Sequence, residues 1–328
     1  MSQRNRRSMK RRSFIGAALA LPFAARAESY PSKPVRVILP GPVGGLIDIA
    51  GRAVGDAMQQ ELGQPWLIDP HPGANGIMAA QMFLGAPADG YTLYLTVSGH
   101  VALPFLMKAP FDVMADFQPI AMIGISTALL CVPPDSPAHS IAEFAAYAKA
   151  NPGKLNYLNS GNGTGAHLVP ELLKIKFGID VTSIYYKGLP PGVQDLLAGR
   201  LDLGMVSTSL VMQHVKAGRL RAIALVGPKR LPELPDVATM AEQGVGDAEI
   251  RSSLPLFGQK GMPRPIVDRL NAAMAAALAD PDTARRLAAA YIQPLPMTPE
   301  QLGQAMQREH ERLGALIQQL GIKADGGS

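Results

Sequence analysis

The chain is short of the residues that would make it a disulfide scaffold, a membrane protein or a metal enzyme. Its single cysteine, Cys131, has no partner for an intramolecular bridge. It lies in the apolar run Thr127–Val132, where a small buried thiol on a strand is expected. One tryptophan and 5% aromatics leave few side chains for stacking on bases. The six histidines (His71, His100, His139, His167, His214, His310) are scattered and form no pair at metal-ligand spacing, so no metal is expected. There is no GxxxxGK[ST] loop, no GxGxxG and no GxSxG elbow, and hence no nucleotide fingerprint, no expected cofactor and no hydrolase nucleophile. With no nucleophile–base pair in view, the chain does not read as an enzyme. Beyond residue 27 no apolar run approaches the roughly 20 residues that a spanning helix needs.

What is present begins with a leader. Residues 1–27 carry seven basic residues and no acidic one, then an apolar run from Phe14 to Ala25, then Ala25-Arg26-Ala27. That order of charged, apolar and small-residue segments predicts an export signal cleaved near Ala27, and Arg11-Arg12 makes it similar to a twin-arginine signal. A general secretory signal carrying two arginines is the alternative. No cysteine stands at the cleavage site, so a lipid anchor is not expected there. Removing the seven positives from 31 Lys+Arg leaves 24 against 26 Asp+Glu, near −2. The formal +5 therefore disappears with the leader, and with it the case for a nucleic-acid partner.

Beyond the leader, short β-rich runs alternate with amphipathic helical patterns, predicting α/β lobes with mostly parallel strands. A strand at Val35–Leu39 leads through Pro40-Gly41-Pro42-Val43-Gly44-Gly45 into a helix from about Ile47 to Leu62, stopped by Gly63. The Pro-rich seam at Val132–Pro137 marks a restart: a helix at Ile141–Ala150, a strand near Leu155–Leu158, then a second Gly-rich turn. Strands at Ser183–Tyr186, Leu201–Val206 and Leu220–Val226 follow. A return crossing is expected between Ala248 and Phe257, and then two helices, Pro263–Ala279 and Pro299–Leu320. The expected organisation is a first lobe over 28–130, a second over 131–248, and a return to the first over 249–328.

Two glycine-rich turns carry the chemistry: Pro40 to Asp48, and Asn159-Ser160-Gly161-Asn162-Gly163-Thr164-Gly165-Ala166-His167. Each lies between a strand and a helix, where unpaired amides and a partial positive charge can hold a carboxylate without a cationic side chain. One such turn per lobe would place two anion-binding ends across a cleft. Plain βα loops are the alternative reading of either turn alone. Asp48 can serve simply to stabilise its helix, and His167 can be a structural or capping group.

The residues in order are similar to one family. Tyr30-Pro31-Ser32-Lys33-Pro34-Val35-Arg36, Gly44-Gly45-x-x-Asp48, Pro72-Gly73-Ala74-Asn75-Gly76 and Pro87-Ala88-Asp89-Gly90-Tyr91 come first. Asn151-Pro152-Gly153-Lys154-Leu155, Gly161-Asn162-Gly163-Thr164, Tyr186-Lys187-Gly188 and Lys216-Ala217-Gly218-Arg219-Leu220 follow. The chain resembles the Bug-type periplasmic substrate-binding receptors of tripartite tricarboxylate transporters along essentially all of its mature length. The resemblance implies a type II periplasmic-binding-protein fold with two crossing segments, a small carboxylate ligand, membrane permease subunits as partners, and a monomer. A ligand sensor feeding a signalling partner uses the same cleft and stays open as the alternative. Pro42, Val43, Asp48, Ser98, Gly161, Gly163, Thr164, His167, Tyr186 and Ser207 are the positions it implies around the ligand.

The departures matter as well. Similar receptors carry an aromatic at the place of Gly41, a Phe-Asp-Asn-like triplet where Met205-Val206-Ser207 stands, and Trp-Tyr-Gly in place of Ser253-Leu254-Pro255. The missing acid at Val206 argues against a zwitterionic ligand, whose buried ammonium would need a partner. Pro170 is expected to kink or shorten the helix after the second turn.

Overall fold

The computed structural model describes residues 30–245 and 252–322. The leader expected over 1–27 and the start of the expected return crossing lie outside them. Eleven strands among these residues form two sheets. In chain order they are β1 (Val35–Leu39), β2 (Trp66–Pro70), β3 (Thr92–Leu95), β4 (Phe117–Ser126), β5 (Ala128–Val132) and β6 (Leu155–Asn159), then β7 (Val181–Tyr185), β8 (Leu203–Ser207), β9 (Arg221–Val226), β10 (Ser252–Gln259) and β11 (Ile292–Pro294). The first sheet has the order β11-β4-β10-β3-β1-β2, and the second β7-β6-β8-β5-β9.

β1 pairs in parallel with β2 and β3, and β6 with β7 and β8. The strands expected to be mostly parallel are interrupted by one inserted strand in each sheet, and β11 adds an antiparallel edge strand beside β4 in the first. β10 lies antiparallel between β3 and β4, and β5 antiparallel between β8 and β9. Both inserted strands follow a change of lobe, so each enters its sheet from the end at which its neighbours finish. The first change of lobe occurs at Thr127, the single residue between β4 and β5, ahead of the boundary expected after Leu130. Thr127 is tied to the second lobe by a 2.9 Å contact between its hydroxyl and that of Thr208, and by the Thr208 amide donating to the Thr127 carbonyl at 3.1 Å.

Alternation of side chains along the strands explains the core. Val35, Val37 and Leu39 enter one cluster with Leu270, Met274 and Leu278 of the helix Arg264–Ala279. Ile38 enters the cluster on the other face with Tyr94 and Phe117. On β5, Leu129 and Cys131 face outward helices while Leu130 and Val132 face the inner cluster. Burial pushes the Cys131 thiol up to about 12, so it stays protonated and inert.

Helix boundaries follow local chemistry. The helix expected over 47–62 is broken into Leu46–Ala53 and Gly55–Leu62, with Gly55, a poor helix former, at the joint. Gly63 then stops it in the left-handed conformation at φ 67°. The last helix, Pro299–Gln319, starts with the expected capping box between Thr298 and Gln301. Its Leu302, Met306, Leu313, Leu316 and Ile317 are buried, each contributing about 2 kcal/mol. The helix Gly165–Phe177 runs unbroken for 13 residues through Pro170, so the expected shortening does not occur. β4, β11 and the helix Pro281–Ala289 have no counterpart in the sequence reading. β4 carries Pro119 and Gly124, which obscure its alternation, and the short helix rests on Asp280, whose carboxylate accepts the Thr283 amide at 2.8 Å.

Candidate functional site

The parallel strands of both lobes end on one cleft. The turn after β1, the residues after β3, and the turns after β6, β7 and β8 surround a cavity of about 170 Å³. On the same measure one water needs roughly 10–15 Å³, so the space suits a small organic molecule.

The two glycine-rich turns use most of their own amides. In the first, the Asp48 carboxylate accepts the Gly44 N–H at 2.9 Å, and the Pro42 carbonyl accepts that of Gly45 at 3.1 Å. In the second, Gly161 donates to Asn159 Oδ1 (2.9 Å), Asn162 to Asn75 Oδ1 (3.1 Å), Gly163 to His167 Nδ1 (3.2 Å) and Thr164 to the Gly161 carbonyl (3.2 Å). The Thr164 hydroxyl also donates to the Gly161 carbonyl, at 2.6 Å.

The amides left over belong to the first helical residues. Leu46 and Ile47 open the helix Leu46–Ala53, and Gly165 and Ala166 open Gly165–Phe177. None of these four N–H groups finds an acceptor among the described residues, and all four residues line the cavity. Two helix ends, one per lobe and each worth about half a positive charge, thus converge on one space. The charged side chains of the lining are Lys187 and Glu309. Glu309 is engaged by Arg312 at 2.7 Å, whereas the exposed Lys187 makes no ion pair among the described residues. The field in the cleft therefore favours an anion with one or two negative groups.

The structure separates the residues expected around a ligand. Pro42, Ser98, Gly161, Gly163, Thr164 and Ser207 line the cavity, but the amides of Gly161, Gly163 and Thr164 are committed to the turn. Val43, Asp48, His167 and Tyr186 lie outside the lining. Val43 points to solvent and is 67% exposed. Asp48, buried beside its helix end, holds Gly44 and accepts from Arg52 Nε at 2.9 Å. The His167 ring braces the second turn from behind. The Tyr186 hydroxyl donates to Asp195 at 2.6 Å, away from the cleft, and burial together with that carboxylate pushes its pKa up to about 12.

Val206 faces away as well, in the outer cluster with Leu129 and Leu158, while its neighbours Met205 and Ser207 reach the cavity. An acid at 206 would not meet a ligand directly, so its absence does not bear on a zwitterionic ligand. Glu309, the one acidic side chain of the lining, is already occupied by Arg312. Sequence reasoning missed Leu46, Ile47, Gly165 and Ala166 as the residues whose amides stay open, and also Asn75 and Lys187 in the lining. The missed signal was positional, since the unpaired amides of a helix belong to N1 and N2 and not to the glycines before them.

At the inner end of the lining His100 is packed against Tyr94, Phe111 and Phe117. Burial drives its pKa down to about 3, so the ring is neutral and adds no charge to the site. Among the described residues no group of His, Cys, Asp or Glu is arranged to hold a metal ion.

Known proteins share the two-lobe fold. The chain is similar to the periplasmic binding protein BugD (30% identity, TM-score 0.85, covering 90% of this chain and 100% of that one). It is also similar to Rpa4515 of R. palustris, solved with adipate (30%, 0.85, 90% and 99%), and to MatC of Rhodopseudomonas palustris, solved with malate (29%, 0.83, 88% and 100%). The two α/β lobes around a cleft are the fold of these periplasmic binding proteins. Residues 50–322 match the model of the tripartite tricarboxylate transporter family receptor. With its fold, its cleft and most of its length accounted for in this way, the chain belongs to the tripartite tricarboxylate transporter receptor family.

Proposed function

We propose that this chain is a periplasmic receptor that captures a small organic carboxylate between its lobes and hands it to a tripartite-type membrane permease, without chemical turnover. The reading is carried by one observation: four amides of two opposed helix ends, which line one cavity and meet no acceptor among the described residues. A carboxylate accepting from both ends favours the closed form by its differential affinity, and closure at the Thr127 crossing is then the signal to the permease. The adipate and malate bound to similar proteins support a carboxylate over a phosphate. Lys187, which makes no ion pair among the described residues, supports a ligand with a second acidic group, and the occupied Glu309 disfavours an amino acid. Export through the leader over 1–27 and a monomeric state complete the proposal.

A melting-shift screen tests it, because a ligand that binds only the folded form stabilises it by RT ln(1 + [L]/Kd). Adipate, malate, a tricarboxylate, a monocarboxylate, inorganic phosphate, aspartate and glutamate are compared. Upward shifts confined to the carboxylates without an amino group are expected. No shift with any carboxylate, or micromolar aspartate binding in calorimetry, would overturn the proposal.

A further inference from the structure

We infer that the cleft closes on a built seam, in which Asn75 of the first lobe is the latch and Gly99 provides the clearance. Contacts between the lobes beside the cavity include Leu106 and Ala102 against Gly163, and three others that define the seam. Asn75 Oδ1 accepts the Asn162 N–H at 3.1 Å. Gly99 faces the second turn so closely that a Cβ on it would stand 2.9 Å from the Gly163 carbonyl oxygen. Gly188 faces Pro42, where a Cβ would stand 2.6 Å from the proline Cδ.

These contacts are more than incidental neighbours. Asn75 sits in the left-handed region at φ 50°, ψ 29°, a conformation asparagine tolerates better than other non-glycine residues. There its carboxamide reaches across the cleft and takes up an amide of the very turn that leads into the helix end at Gly165. The first lobe thereby sets the shape of the second lobe's anion-binding turn, and does so only when the lobes meet. Asn75 is a positioning residue in this sense.

Gly99 separates a conformational requirement from a spatial one. Gly161, Gly163 and Gly188 have φ of 143°, 81° and 102°, so their backbones alone would demand glycine. Gly99 has an ordinary φ and would accept alanine within its own lobe. What excludes a Cβ there is a backbone atom of the other lobe, which cannot rotate away. Gly99→Ala should therefore hold the lobes apart while leaving each one folded.

The seam gains its purpose from the receptor reading, but it can be tested without a known ligand. Spin labels at Met78→Cys and Gln194→Cys, both exposed and in opposite lobes, report lobe separation by dipolar spectroscopy; the buried Cys131 stays unlabelled. The doubly labelled parent is measured alone and with adipate or malate. The parent should populate the short distance, and Gly99→Ala should lose it with the melting temperature of the free protein unchanged. Asn75→Gly, which suits the left-handed backbone and removes the acceptor together with the Nδ2–H contact to Met107 Sδ inside its own lobe, should lower the closed-to-open ratio about fivefold. Gly303→Ala, whose Cβ would have ordinary 3.6 Å contact with Pro119 inside the first lobe, should match the parent. A Gly99→Ala distribution equal to the parent's would overturn the seam, and so would a parent that never samples the short distance. The melting-shift screen judges the receptor reading separately. Closure lost in Gly99→Ala supports the seam even if no carboxylate on that panel binds.

Discussion

Replacing Gly165 by proline isolates the amide on which the binding mechanism depends. Gly165 is the first residue of its helix, lines the cavity, and has an N–H that meets no acceptor among the described residues. Proline is at home at that helical position because the lost N–H has no intrahelical partner. The preceding Thr164, at φ −74° and ψ 161°, already has the extended conformation that proline imposes on its predecessor. Folding should therefore be unharmed, and the stiffer unfolded chain should add about 0.4–1 kcal/mol of stability. Binding should move the other way. A hydrogen bond to a charged group contributes about 1.5–3 kcal/mol, so losing one weakens a carboxylate roughly 10- to 150-fold. Calorimetry with the strongest ligand of the screen measures the affinity, and thermal melting of the free protein measures the fold. Gly165→Ala keeps the N–H and reports any steric contribution from the added atom. A proline variant that melts normally and binds within twofold of the parent would refute the idea that helix-end amides anchor the ligand.

Three further outcomes are expected. His100 has a folded pKa of about 3, below its ordinary 6.5, so its contribution to stability is complete above pH 6.5 and is lost as pH falls toward 3. Between pH 7.5 and pH 5 the loss is about 2 kcal/mol; denaturant titrations should show it in the parent and not in His100→Phe, and equal slopes would contradict the assignment. Tyr186→Phe should cost about 1 kcal/mol of stability through the lost bond to Asp195 and leave Kd unchanged; a tenfold fall in affinity would return Tyr186 to the ligand site. Lys187→Gln should weaken dicarboxylates about two- to fivefold and spare monocarboxylates, as expected for an exposed cation; equal effects on both classes would argue against a distal pairing.

The features legible in the sequence are those whose causes are local. β1, the helix at Ile141–Ala150 and the capping box of the last helix follow from alternation, an N-cap serine and a Thr-x-x-Gln spacing. β4 was invisible because a strand that carries the chain to the lobe boundary, with Pro119 and Gly124 within it, shows no clean period. The cleft was legible in outline, since a strand, a glycine turn and a helix end follow one another in sequence. Its individual donors were not. Glycines suggest open amides, yet here the side chains of Asp48, Asn159 and His167 take up those of Gly44, Gly161 and Gly163, and Asn75 takes up that of Asn162. Asn75 and Asn162 are 87 positions apart, and no local pattern links them.

Composition and local pattern by themselves determined that the chain beyond residue 27 is slightly acidic, that its strands and helices alternate, and that two turns lead into helix N-termini. These properties depend on residues a few positions apart, which interact in any fold. Tertiary structure alone decided that Val206 faces away from the cavity, that Lys187 lines it, and that Gly99 meets the Gly163 carbonyl across the cleft. Each of these depends on which strand is inserted beside which and on how two lobes meet. They are set by long-range packing, to which the order of residues along one segment is blind.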